Sequence, residues 1–332
     1  MINNNEEVWE KKIREEILHY EHVDNVHELP PIFHYWSNKY LRPKLELLGF
    51  SSMEQFYTEY IKKLCSQYES TECRILSVGA GNCDLEVNLS KLLFAQSITN
   101  FSFTCLDINP HMLQRGKKIA DDSGFTSQFI FLNTDIHGWQ IDKEYHVIIA
   151  NQSLHHFVEL EILFDKIHNA LCSEGFFLTH DVIGRNGHMR WPEALELVNA
   201  FWSLLEDRHK YNHQLKRFEP LYDNWNCSCE GFEGIRAQDI LPLLLSKFKF
   251  DLFVGFSNLI SVFVDRSFGY NFDPDNQWDK TFIDFVAKLD DYYIEIGKVK
   301  PTQMIAAMVK RQKGPTKVYK HLTPEFCLRI PD

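Results

Sequence analysis

No uncharged apolar run in the chain reaches the roughly 18 residues that a membrane-crossing helix needs. The opening residues, MINNNEEVWE, make neither the apolar core of a secretory signal nor an Arg-rich transit peptide. A cytoplasmic protein without membrane insertion is expected. Dense blocks of Lys or Arg are missing as well. At a formal net charge of −11, nucleic acid and anionic lipid are not expected partners. The eight cysteines follow no framework spacing, and in a reducing compartment they read as small buried hydrophobes. One close pair exists, Cys227-Ser-Cys229, but no second Cys/His pair accompanies it at zinc-finger spacing, so no metal site is expected. Internal repeats and low-complexity tracts are absent too.

What remains is a soluble globular composition, 44% hydrophobic, over 332 residues. That length suits one large domain with insertions or two modest ones. Residues 1–70 read as a helical cap: Trp9, Ile13 and Ile17 recur every four residues, as do Phe56, Tyr60 and Leu64. Ser51-x-x-Glu54 has the form of a capping box for the second of these helices. Between them, residues 27–43, rich in proline and aromatics, read as an irregular arm.

From 71 to 183 the pattern becomes a core of alternating strand and helix. Apolar, β-rich runs stand at 74–78, 101–106, 129–132, 145–150 and 176–179, separated by helical spacings. Fully apolar strands alternating with helices imply a mostly parallel sheet covered on both faces. Right-handed crossovers then place the carboxyl ends of the strands along one rim, where open α/β sheets bind ligands. Residues 184–249 interrupt this rhythm as a helical insertion over the substrate. The runs at 250–256 and 303–309 are expected to return as a closing antiparallel pair within 250–312. A loosely ordered tail over 313–332 completes the reading.

Every strand end carries polar residues. The first is Gly79-Ala80-Gly81-Asn82-Cys83-Asp84, in which glycines permit backbone forms and close contacts that a side chain would block. Cys83 stands where a dinucleotide fingerprint would have its third glycine. The second ends at Asp107, whose carboxylate suits the vicinal hydroxyls of a ribose. Asn109-Pro110 supplies the N-cap of the next helix by itself, which leaves Asp107 for that work. The third ends in Asn133-Thr134-Asp135, the fourth in Asn151-Gln152-Ser153-Leu154-His155-His156, and the fifth in His180-Asp181.

In this order and spacing, VGAGNCDLE, LDINPHML, NTDI and ANQSLHHF resemble the class I S-adenosylmethionine-dependent methyltransferases over about residues 70–181. The resemblance implies an α/β, Rossmann-like sheet and S-adenosyl-L-methionine as cofactor. It further implies that Gly79, Ala80 and Gly81 cradle the methionine and ribose portion, and that Asp107 binds the ribose hydroxyls. Ile108 would pack on the adenine, Asp135 and Ile136 would meet its amino group and ring, and Asn151 would line the methionine side. A sulfonium nucleoside carries no diphosphate, which fits the departure at Cys83.

Methyl transfer needs an aligned nucleophile, exclusion of water and, for a hydroxyl, removal of a proton. An imidazole titrating near neutrality suits that task. His156, His180 and Asp181 are therefore the catalytic candidates, Asp181 acting itself or by orienting an imidazole. The alternative is that these residues shape the loop while alignment does the work. In the insertion, Gly184 and Gly187 suggest a mobile loop carrying His188. Arg185, Arg217, Trp225 and Arg236 could hold an anionic or sugar-bearing acceptor by forked hydrogen bonds and stacking, or could instead tie the insertion down through ion pairs. The leading reading is O-methylation of a small-molecule or glycan-linked acceptor. N-methylation, or a cofactor-binding module without chemistry, are the alternatives.

Overall fold

The computed structural model describes residues 28–68, 71–229 and 231–331. The helix expected around Trp9, Ile13 and Ile17 lies outside the described residues.

An eight-stranded sheet organises the chain, in the order β10-β8-β9-β5-β4-β1-β2-β3. Its first five strands are β1 (Cys73–Val78), β2 (Phe101–Asp107), β3 (Phe129–Asn133), β4 (Tyr145–Asn151) and β5 (Leu171–Val182), each over an apolar run read from the sequence. All neighbours among them pair in parallel. Because the strand order reverses between β1 and β4, the carboxyl ends of these two strands border the crevice that such sheets use for ligands. Strands β1 and β4 are almost wholly buried, as parallel strands covered on both faces must be.

The remaining sheet strands are β8 (Lys249–Phe256), β9 (Gln303–Val309) and β10 (Lys317–Val318), while β6 (Tyr211–Asn212) and β7 (Arg217–Phe218) form a separate hairpin. Strand β9 runs antiparallel to both β5 and β8, and Gln303 faces Val182 on one side and Phe256 on the other. The expected antiparallel pair is therefore present.

Several elements differ from the sequence reading. Of the segment read as irregular, residues 28–43 are described and are helical over most of their length: the helix Pro31–Trp36 continues through a wide turn, Ser37–Leu41, into Arg42–Glu46. Pro31 stands at the first helical position, where its missing N–H costs nothing. The segment is pinned to the helix Gln277–Glu295 through one carboxylate. Asp284 accepts from Tyr35 Oη (3.0 Å), Tyr40 Oη (2.8 Å) and Lys39 Nζ (2.7 Å). The next helix, Met53–Cys65, starts one residue later than the capping pattern suggested. Ser52 caps it through Gln55 N, and the Gln55 side chain reaches back to Ser51. The tail is not loose either. Val318 pairs with β8, Leu322 and Cys327 are buried, and Lys300 bonds the Phe326 carbonyl at 2.6 Å. Two anchors of this kind suffice where composition alone predicts fraying.

Asp290, on the helix Gln277–Glu295, is buried and accepts the backbone N–H of Asn258 and of Leu259, each at 2.9 Å, where the chain leaves β8. Burial lifts its carboxyl to about 6 despite these bonds. Replacing it by alanine leaves two enclosed N–H groups unmatched. Asp290→Ala should lower unfolding stability by about 3 kcal/mol and Asp290→Asn by about 1, measured by urea titration.

Candidate active site

The turn after β1 abuts the loop after β4. Gly79 has a φ of +68°, and a Cβ there would lie 2.6 Å from Ser153 Cβ. Only glycine satisfies both constraints. Ser153 in turn donates its hydroxyl to the Val78 carbonyl at 2.8 Å, so the two strand ends are stitched together. Asp107 ties the same turn from the other side. Its Oδ2 accepts from Gly81 N and its Oδ1 from Asn109 N, both at 2.8 Å. Asn109 itself caps the helix Pro110–Asp122 through His111 N and Met112 N, as the sequence suggested.

The other expected cofactor positions lie along the same rim. Ala80 and Ile108 are half-buried. Ile136 is buried in the core, and the Asp135 carboxylate accepts from Gly138 N at 2.7 Å, closing its own turn. Asn151 accepts from the hydroxyl of Tyr57 at 2.9 Å. Tyr57, wholly buried on the helix Met53–Cys65, was missed in the sequence.

Beyond Ser153, the chain makes a single turn, Leu154–His156, over the end of β5. Asp181 has no exposed surface, and its two oxygens accept four hydrogen bonds. Oδ2 takes Ser153 N (2.9 Å) and Leu154 N (2.7 Å); Oδ1 takes Val182 N (2.8 Å) and His155 Nδ1 (2.6 Å). A carboxylate so enclosed cannot reach a substrate, which corrects its candidacy as a direct base. It orients His155 instead. Burial alone would lower the His155 pKa, but Asp181 on one face and Glu233 on the other hold it up at about 10.

Glu233 is the centre of a cluster that the sequence did not reveal. Its Oε1 lies 3.2 Å from His155 Nε2 and 2.6 Å from His188 Nε2, and its Oε2 lies 3.5 Å from His156 Nε2. Burial would raise its carboxyl; the imidazoles of His155 and His188 and the charge at His156 outweigh it, and the pKa falls well below the ordinary range. No periodicity links 155, 188 and 233, since three separate loops bring them together.

The stretch 69–219 matches the family model described as a methyltransferase domain. Over these residues the chain is similar to methyltransferase domains. A search of curated proteins finds no match. Among solved structures, the chain is similar to the plantazolicin methyltransferase BpumL bound to S-adenosylhomocysteine, at 15% identity and a TM-score of 0.41, covering 93% of this chain and 99% of that one. A methyltransferase of Thiobacillus denitrificans is 12% identical, with a TM-score of 0.39 and coverage of 76% and 91%. The geranyl diphosphate C-methyltransferase of Streptomyces coelicolor A3(2) is 10% identical, with a TM-score of 0.42 and coverage of 77% and 75%. Likenesses of this size assign no acceptor.

In the methyltransferase domain's insertion, most of the expected acceptor contacts turn out to be internal ties. Arg236 forks onto Glu161 (2.7 and 2.8 Å) while bonding Asp239 and the Val158 carbonyl. Arg217 is paired with Glu219 at 3.0 Å and with Asp223, inside the β6–β7 hairpin region. For both arginines the ion-pair alternative is the observed one, because acidic side chains lie within hydrogen-bond reach of each guanidinium. Arg185 rests on the Trp191 ring at 5.3 Å and bonds the Arg190 carbonyl, and Trp225 is half-buried in the loop before Cys227–Cys229. The loop of His188 is also clamped rather than mobile. Gly187 donates to the Gly234 carbonyl at 2.8 Å, and a Cβ on Gly187 would lie 1.7 Å from Asn226 Oδ1. Its glycine serves close packing, not hinge motion. Among the described residues, no helix of the methyltransferase is long and apolar enough to cross a membrane.

His180 lies beside the Phe256 ring (5.9 Å). Desolvation drives its pKa down to about 4, with His155 adding to the fall and Asp181 opposing it. It is therefore neutral near pH 7 and a weak base there. A depressed histidine contributes stability that is whole above its unfolded pKa and is lost as pH drops towards the folded value. Between about pH 7 and about pH 4 the parent protein should lose more stability than the His180→Phe variant, by up to about 1.4 kcal/mol per pH unit, measured by urea unfolding.

Proposed function

We propose that the chain binds S-adenosyl-L-methionine across the β1–β4 crevice and transfers its methyl group to a hydroxyl of a small-molecule or glycan-linked acceptor in the cytoplasm. Gly79, Ala80 and Gly81 approach the methionine and ribose, Asp107 accepts from the ribose hydroxyls, and Ile108, Asp135 and Ile136 border the adenine. Asn151, held by Tyr57, borders the methionine side.

One observation carries the choice of oxygen as the methylated atom. Three imidazoles and a carboxylate (His155, His156, His188 and Glu233) gather two residues beyond the Gly79–Ser153 contact, where the methyl group would emerge. A neutral hydroxyl must lose its proton as it attacks, and such a cluster can accept one. Of the sequence candidates, His156 suits the role of base best, being a quarter exposed and beside Glu233. His180 is too weakly basic and Asp181 too enclosed. Arg185, His188 and Trp225 remain the residues proposed to face the acceptor.

Calorimetry with S-adenosylmethionine, S-adenosylhomocysteine and NAD tests the cofactor. The two sulfur nucleosides should bind and NAD should not; binding of NAD alone overturns the reading. Asp107→Ala should weaken S-adenosylhomocysteine binding by about 1–3 kcal/mol, the worth of a charge-assisted pair. The acceptor is found by incubating the protein with methyl-labelled cofactor and fractionated extract. With that acceptor, His156→Ala should reduce kcat by about 100-fold and leave cofactor affinity intact. Unaltered turnover across pH would assign the rate to alignment alone.

A further inference from the structure

Three potential ligand atoms from three loops converge at one point of the rim. His155 Nε2, His188 Nε2 and a carboxylate oxygen of Glu233 all lie within 4.8 Å of one another. We propose that this triangle binds one divalent transition-metal ion of the zinc class, which holds and acidifies the acceptor hydroxyl.

The spacing suits such an ion. Glu233 Oε1 is 3.2 Å from one imidazole nitrogen and 2.6 Å from the other. An ion about 2.0–2.2 Å from each donor separates tetrahedral ligands by roughly 3.4 Å, so the 3.2 Å pair already fits, the 2.6 Å pair must open by about 0.8 Å, and the two imidazole nitrogens lie within 4.8 Å of each other. Two imidazoles and one carboxylate favour zinc, iron, cobalt or manganese over calcium or magnesium, which prefer all-oxygen shells. Three protein ligands also leave coordination positions open, the arrangement of a catalytic rather than a structural site.

The surroundings of the triangle are those of a built site. His155 donates through Nδ1 to the buried Asp181 at 2.6 Å, which turns Nε2 towards the other ligands. A carboxylate behind a ligating histidine fixes the tautomer and strengthens the nitrogen as a donor. Two backbone bonds lock the loops against one another: Ile235 N to the His155 carbonyl at 3.0 Å, and Gly187 N to the Gly234 carbonyl at 2.8 Å. The three side chains are thus held in place before any ion arrives. A dication there displaces the Nε2 proton of His155 and takes over from it the balance of two carboxylates, Asp181 and Glu233, that lie on either side of that ring.

The chemistry rests on the proposed O-methylation, whereas the ion site does not. The acceptor oxygen binds the ion and gives its proton to His156, which lies 3.5 Å from the second Glu233 oxygen, outside the triangle. The oxygen then attacks the sulfonium methyl. The new O–C bond forms as the C–S bond breaks, and its electron pair stays on sulfur as S-adenosylhomocysteine. The ion acts as a Lewis acid and is unchanged.

The full chain, stripped with a chelator, is titrated with Zn²⁺ by calorimetry and with Co²⁺ by visible absorption, without cofactor or acceptor. One ion per chain is expected, with a Co²⁺ spectrum of mixed nitrogen and oxygen ligation. Glu233→Gln and His188→Ala should each weaken binding at least about 100-fold, while Cys229→Ser, on an exposed cysteine of the neighbouring turn, should bind as the parent does. Circular dichroism verifies that each variant is folded, and His188→Ala decides the matter if Glu233→Gln is not. Absence of saturable binding by the parent, or parent-like binding in the folded variants, overturns the site. Undiminished methyl transfer by the stripped enzyme overturns the ion's part in catalysis, and leaves the methyltransferase reading standing.

Discussion

Asp181 occupies the last turn of the central strand β5 with no contact to solvent, and four donors converge on it. A buried carboxylate is tolerable only when its oxygens are fully matched, and here the matching groups belong to the loop that crosses the strand end. That requirement fixes the loop. It sets the backbone of Ser153 and Leu154, hence the approach of Ser153 to Gly79, and it fixes which edge of the His155 ring faces outward. The position of Glu233 follows, because its loop is bonded to the His155 carbonyl through Ile235. The glycine turn and the imidazole cluster are thus two ends of one chain of contacts that starts at a single acid.

The sheet was legible because of how parallel strands are buried. Ile75 to Val78 and Val147 to Ala150 are enclosed on both faces, so each strand reads as an unbroken apolar run. The rim was legible for a related reason. Residues that follow such runs must be polar and turn-forming, and Gly79, Gly81, Asp107 and Asn109 are recognisable from the few roles that a strand-to-helix turn allows. Local chemistry and observed geometry agree for the close approach at Gly79 and the cap at Asn109, whereas Asp107 is engaged by the backbone N–H groups of Gly81 and Asn109.

The cluster around Glu233 was not legible, and distance along the chain is the cause. Glu233 sits among glycines and an exposed-looking acidic stretch, with nothing local to mark it as the partner of residues 45 and 78 positions earlier. Arg236 and Arg217 misled for the complementary reason: an arginine's partners are set by tertiary packing, and acidic residues were always the nearer option. Tyr57 stands next to the periodic Phe56, Tyr60 and Leu64, with nothing local to mark its hydroxyl as the partner of Asn151. Where a side chain's role is decided by a loop arriving from elsewhere, composition and spacing carry no trace of it.

The reversed direction of β9 has a further consequence for how this fold could diversify. Because β8 runs alongside β5 in the same sense, the chain leaves both strands at the same rim, at Val182 and at Phe256, and β9 starts there at Gln303. Both long excursions, 183–248 and 257–302, therefore depart from the edge where the glycine turn after β1 lies. Length and composition can drift in these two segments without disturbing a single pairing of the eight-stranded sheet. Selection for a new ligand would find its raw material already hung over that rim, while the strands beneath keep the glycine turn in place.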